Sequence, residues 1–260
     1  MSLTRNLEKA KDAYLNNDVQ ASKTAHTTCS SEQHQKSGQY LKSAVYGGLD
    51  GTITTFAVVA GVAGAALSAN VVLIMGFANL IGDGLSMAIG DYLSTKSERE
   101  YHKAERRRET WEFENYPAGE KTEMVEIYMQ KGYAKKEAED IVARMAQNKE
   151  AFVDVMMVEE LGIMESDESP VKNALVTFGS FLLFGFIPVL AFVLALWIGV
   201  AFNAFLVASL LTALTLFALG AFKTKVTGKN WFYSGFEMLL VGGIAAGAAY
   251  GIGALVAHLV

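Results

Sequence analysis

Five stretches of this chain are long and apolar enough to cross a bilayer as helices of about 20 residues, and that decides what it can fold into. They run approximately Ser43–Ala66, Val71–Leu93, Ala174–Ile198, Phe202–Phe222 and Phe236–Ala257. The expected fold is therefore an all-α membrane protein with five transmembrane helices. Composition agrees, with 52% hydrophobic residues and only 3 prolines. The first 40 residues hold no apolar run of the kind a signal peptide needs, so an uncleaved, cytosolic N-terminus is expected. Residues Leu3–Leu15 read as a weak amphipathic helix, followed by a mobile Ser/Thr/Gln-rich arm.

Between the second and third spans lies a polar insert, Ser94 to Lys172. Its stretch Glu98–Glu168 carries 19 of the 27 acidic and 11 of the 22 basic residues, which marks it as water-facing. The positive-inside rule orients the whole. Lys and Arg crowd the N-terminal arm, the insert and the link Lys223–Lys229, whereas the links at Ser68–Asn70 and Gly199–Ala201 are uncharged. Five spans satisfy this alternation with the N-terminus and insert cytosolic; three or four would misplace a basic link. The expected units are a cytosolic arm (1–42), spans one and two (43–97), a cytosolic acidic helical metal-binding domain (98–170) and spans three to five (171–260).

Within the insert, nothing breaks a helix running on from the second span until Pro117. Three shorter helices then fit Gly119–Lys131, Lys135–Gln147 and Lys149–Leu161, with Asn148 as N-cap and Gly132 and Gly162 as stops.

At 100° per residue, Gly76, Asn79, Asp83, Met87 and Gly90 of the second span fall within an arc of about 80°. In the first span Gly47, Asp50, Thr54, Ala57, Gly61, Gly64 and Ser68 form a similar stripe. Small residues let helices approach, and that accounts for the glycines and Ser86; the same reading makes Gly243, Gly247 and Gly251 a close helix contact. It does not account for Asp50 and Asp83, because a charge at membrane depth costs at least about 2.5 kcal/mol. The two stripes are expected to pack together, with Asp50, Asp83 and Met87 facing a shared interior. Asp91 and Glu237 lie nearer the cytoplasmic ends, where water or Lys can satisfy them.

A methionine beside carboxylates is a softer ligand set than Mg²⁺ or Ca²⁺ takes, and it points to Fe²⁺, with Mn²⁺, Co²⁺ or Zn²⁺ as alternatives. In the insert, Glu98, Glu105, Glu109 and Glu112 share a helical face within about 60°, Glu120 and Glu123 repeat a three-residue spacing, and Met156 and Glu160 lie four apart. Spacing alone leaves two readings open, a metal site or a solvated charged helix whose glutamates pair with Arg106, Arg107 and Arg108. The lone Cys29 excludes an intrachain disulfide, and no Glu-x-x-His pair supports a ferritin-like di-iron centre. There is no phosphate-binding loop for an ATP-driven pump, and neither a permanently bound cofactor nor a nucleic-acid partner is expected.

The segments "YGGLDGTITTFAVVAGVAGA", "LSMAIGDYLSTKSE" and "FVDVMMVEELG", with the acidic insert, resemble the vacuolar iron transporter family of plants, fungi and protists and its bacterial relatives. The resemblance implies a homodimer that moves Fe²⁺, often also Mn²⁺, out of the cytosol in exchange for protons. It implies a vacuole-like membrane in a eukaryote and the inner membrane in a bacterium. Asp50 matches the family's transport aspartate and Met87 its second-span methionine, while the family's cytosolic metal ligands fall on Glu109, Glu112, Glu120, Glu123, Met156 and Glu160. Plant members have a glutamate where this chain has Asn79; Asp83, one turn on, is the candidate replacement. The alternative function is a non-transporting, membrane-anchored metal sensor or storage adaptor.

Overall fold

A computed structural model describes residues 4–5, 12–27, 31–32, 40–164, 168–198, 203–227 and 229–259, and the chain divides after Lys42 into two compact units. In the first, Thr4–Arg5 (β1) pairs in parallel with Ser31–Glu32 (β2). The expected helix over Leu3–Leu15 is thus cut back: Thr4 and Arg5 are extended, residues 12–15 are helical, and residues 6–11 lie outside the described residues. So short an isolated helix has little intrinsic stability to resist such pairing. The arm expected to be mobile contains a helix, Val19–Thr27 (α1), whose first turn is capped by Asp18 Oδ1 accepting from the N–H groups of Gln20 and Ala21. The remainder of that arm, 28–30 and 33–39, lies outside the described residues.

The second unit begins its helices with Leu41–Gly64 (α2) and Ala69–Asn115 (α3). The insert continues as Pro117–Gln130 (α4), Lys135–Met145 (α5) and Lys149–Glu159 (α6). Pro170–Ile198 (α7), Ala204–Thr227 (α8) and Trp231–Leu259 (α9) follow. Five of these helices, α2, α3, α7, α8 and α9, are long and apolar enough to span a membrane. The link at Gly199–Ala201 lies outside the described residues.

The punctuation residues act as their chemistry requires. α3 runs unbroken for 47 residues, about 70 Å, and stops where Pro117 withholds its N–H. Pro117 then serves as the first residue of α4, so that helix starts two residues before the expected Gly119. Asn148 Oδ1 caps α6 by accepting from Ala151 N–H at 3.3 Å. Gly132 and Gly162 adopt φ of +102° and +66°, the left-handed stops that favour glycine.

α2 is the central span: half of its apolar window is buried, against 6% for α9. Phe56, Val59 and Val62 of α2 share a core with Val72 of α3, Ala191 and Phe192 of α7 and Ala208 of α8. The glycines make contacts the stripes do not reveal. A Cβ at Gly47 or Gly51 would strike the α7 backbone at Thr177 or Phe181, and one at Gly64 would strike Tyr250 of α9. Gly76 and Gly84 of α3 likewise face Val189 and Phe181 of α7. The small residues therefore fit α2 and α3 chiefly against α7 and α9, not against each other. Gly243, Gly247 and Gly251 are exposed with nothing near their missing side chains, so the expected close contact is instead made by Gly253 against Gly61 and by Gly242 against Leu216.

The insert has a separate core. Phe113 of α3 packs on Phe152 of α6 with ring centres 4.6 Å apart, over Met124, Val142 and Met156.

Candidate metal sites

The first site is built by the turn at Pro117. One face of α3 presents Glu109 and Glu112 a turn apart; the chain reverses at Tyr116, and the first turn of α4 brings back Glu120. One carboxylate oxygen from each of the three lies within 4.8 Å of the others. Glu109 is 1% exposed and Glu120 6%. Both oxygens of Glu109 and Oε2 of Glu120 lack a hydrogen bond, although Glu109 Oε1 lies 2.6 Å from Arg108 Nη2 as an ion pair. Buried acceptors left unmatched are costly, and a cation is the ligand that matches them.

The electrostatics extend the group. Burial, followed by repulsion from Glu160, Glu112 and Glu123, pushes the Glu109 carboxyl up to about 7 despite the opposing Arg108. Burial, then Glu109, Glu123, Glu112 and Glu160, raises Glu120 to about 7 as well. Burial and Glu123 raise Glu160, which sits at the C-terminal end of α6. The fold thus brings Glu109, Glu112 and Glu120 together, with Glu123 and Glu160 within electrostatic range of them. Met156 is fully buried among Met124, Val142 and Phe152, one turn before Glu160. Neighbouring charges are committed elsewhere: Arg106 to Glu150 and Asp154, Lys149 to Glu114 and Lys131 to Glu159.

A pH dependence follows. The ordinary value of 4.5 rises to about 7 on folding for Glu109 and Glu120, so ionisation is disfavoured in the folded chain. Their stabilising contribution is full below about 4.5 and is lost as pH rises through about 7. The metal-free protein is expected to melt its insert at a lower temperature at about pH 8 than at about pH 5. Circular dichroism checks this, and a melting point that climbs over that interval contradicts it.

The second set lies among the spans. Asp50 of α2 and Asp83 of α3 are both half-buried and within electrostatic range of one another. Asn79 joins the same two helices: its Nδ2 donates to Thr55 Oγ1 at 3.2 Å and to Thr54 Oγ1 at 3.4 Å, and Thr54 donates to the Asp50 carbonyl. Met87, half-buried, packs on Leu80, Phe181 and Val189. Asp91 accepts from the Thr177 hydroxyl of α7, and Glu237 has Lys223 at 3.6 Å. Periodicity did not show the Thr55 and Thr177 contacts, whereas the pairing of Arg108 with glutamates of its own helix is the one a charged helix leads one to expect. Threonine at two adjacent first-span positions was the only available signal for the Asn79 bridge.

Five apolar helices and a polar helical insert with clustered, buried carboxylates define a multi-pass helical membrane protein. The VIT family sequence model matches residues 41–254, and the chain belongs to that family, which comprises transporters and not enzymes. It is 43% identical to a vacuolar iron transporter of Toxoplasma gondii over 96% of this chain and 88% of the relative. It is 37% identical to that of Plasmodium falciparum, covering 91% of each. Identity to vacuolar iron transporter 1 of Arabidopsis thaliana is 33% over 87% of this chain and 90% of the plant protein.

Proposed function

We propose that this chain is a homodimeric transporter that carries Fe²⁺, and also Mn²⁺, from the cytosol across a vacuole-like membrane in exchange for protons. The observation that carries the reading is the Asp50–Asp83 pair, two carboxylates in electrostatic range within an apolar helix bundle. Carboxylates bind metal only when deprotonated, so protons and metal compete for them. Facing the near-neutral cytosol, Asp50 and Asp83 accept Fe²⁺; facing an acidic lumen, they take protons and release it. Met87 supplies a softer donor. Asn79 commits its amide N–H groups to Thr54 and Thr55 and offers its carbonyl oxygen, while Asp83 supplies the second carboxylate.

The Lys and Arg distribution supports an N-terminus and insert on the cytosolic side. There the domain of about residues 98–170 collects metal through Glu109, Glu112, Glu120, Glu123 and Glu160 with Met156, and feeds the membrane aspartates. Purified protein in liposomes with an acidic interior is expected to accumulate Fe²⁺ as protons run outward, and to stop when the gradient is collapsed. Metal bound by the insert without any flux identifies a sensor or storage adaptor, and flux indifferent to the gradient identifies a channel.

A further inference from the structure

We propose that Arg108 is a built-in competitor for the insert's metal, a surrogate cation whose guanidinium must leave before a divalent ion can enter. The proposal rests on the reading of the insert as a metal site. Arg108 Nη2 lies 2.6 Å from Glu109 Oε1, Nη1 donates to Glu112 Oε2 at 2.7 Å, and Nε donates to Glu105 Oε2 at 3.0 Å. Two of those partners belong to the Glu109–Glu112–Glu120 group. Among the described residues, no other Lys, Arg or His pairs with any of the three.

The neighbouring Arg106 is a useful contrast. It reaches across to Glu150 and Asp154 and so ties α3 to α6, as Lys149 does through Glu114. All three ion-pair partners of Arg108 lie on α3 itself, and although its charge is felt by Glu160 at the end of α6, its departure breaks no ion pair or hydrogen bond between elements among the described residues. Its side chain is 43% exposed, which gives it a path to water. The guanidinium does not touch Glu120, whose buried Oε2 has no partner and offers an incoming ion its first contact.

A divalent ion takes carboxylate oxygens at short range, so it and a guanidinium cannot hold the same Glu109 and Glu112 oxygens. The exchange also discriminates. A monovalent ion replaces one positive charge by one, whereas a divalent ion leaves the crowded carboxylates one charge better neutralised. Arg108 thereby sets a threshold, keeping the insert empty of monovalent ions and of scarce metal.

The test uses the full-length protein in detergent, titrated anaerobically with Fe²⁺ at a pH where the carboxylates are ionised. Arg108→Gln is expected to bind on the order of tenfold more tightly, and Arg108→Lys to stay near the wild type. Phenylglyoxal labelling at Arg108, mapped by mass spectrometry on the wild type, is expected to rise when Fe²⁺ is added. Unchanged or weaker binding by Arg108→Gln, or labelling indifferent to Fe²⁺, overturns the competitor role. If Arg108→Gln does not fold, the wild-type labelling decides alone. If wild-type Fe²⁺ binding is insensitive to Glu109→Gln with Glu120→Gln, the metal-site reading itself fails and takes the proposal with it.

Discussion

Asp50→Asn is expected to reduce gradient-driven Fe²⁺ uptake into liposomes to background while leaving the protein folded and its insert able to bind metal. The substitution keeps shape and one oxygen donor but removes the group that both metal and proton need. Asp50 sits on the most buried span, flanked by Gly47 and Gly51, whose closeness to the α7 backbone fixes the helix. Its carboxylate is thus presented by a tightly packed helix within electrostatic range of Asp83. Folding is not at risk, because the helix is held by glycine contacts and by the Phe56–Val59–Val62 core, neither of which involves the carboxylate. Uptake at the wild-type rate would remove Asp50 from the pathway. Background uptake with an intact circular dichroism melt would place the loss in transport and not in assembly.

Replacing Glu109 and Glu120 together by Gln is expected to weaken Fe²⁺ binding to the insert by more than about a hundredfold. The same change should raise the melting temperature of the metal-free protein at neutral pH. Both effects have one cause. Both carboxylates are buried and repel their neighbours, Glu109 having only the Arg108 ion pair and Glu120 Oε2 no hydrogen bond, so their charge costs stability until a divalent ion arrives. Calorimetry and thermal unfolding read the two effects separately. Unchanged affinity with an unchanged melt would reduce the glutamates to a solvated surface.

Much of this architecture is legible in the sequence because its causes are local. The spans follow from runs of apolar residues, and the insert's helices from Pro117, Asn148, Gly132 and Gly162, each of which changes the backbone at its own position. Periodicity likewise places Glu109 and Glu112 on one face. It does not reveal that Glu109 is buried, since that depends on where α4 returns after Tyr116. Partner choice among spans is equally hidden. A stripe of glycines states that something approaches, not which helix does: Gly47, Gly51, Gly76 and Gly84 all meet α7, while α2 and α3 join each other through Asn79, Thr54 and Thr55. The Gly243–Gly247–Gly251 series shows the same limit: the spacing is regular, yet Gly253 and Gly242 make the contacts. At the N-terminus, pairing between residues 27 positions apart (Thr4 with Ser31) overrides a local helix signal.

Because α3 is unbroken from Ala69 to Asn115, Asp83 and Glu109 are two marks on one rod. They stand about 39 Å apart along the axis and about 80° apart around it. Such a rod is a keyed shaft: it transmits torque as well as thrust. On the proposed function, the insert's carboxylates and Asp83 are joined by one continuous helix, and the number of residues between the two acids sets their relative angle. One residue more or fewer would turn one end by about 100° against the other, so this helix has to conserve its length as strictly as its chemistry.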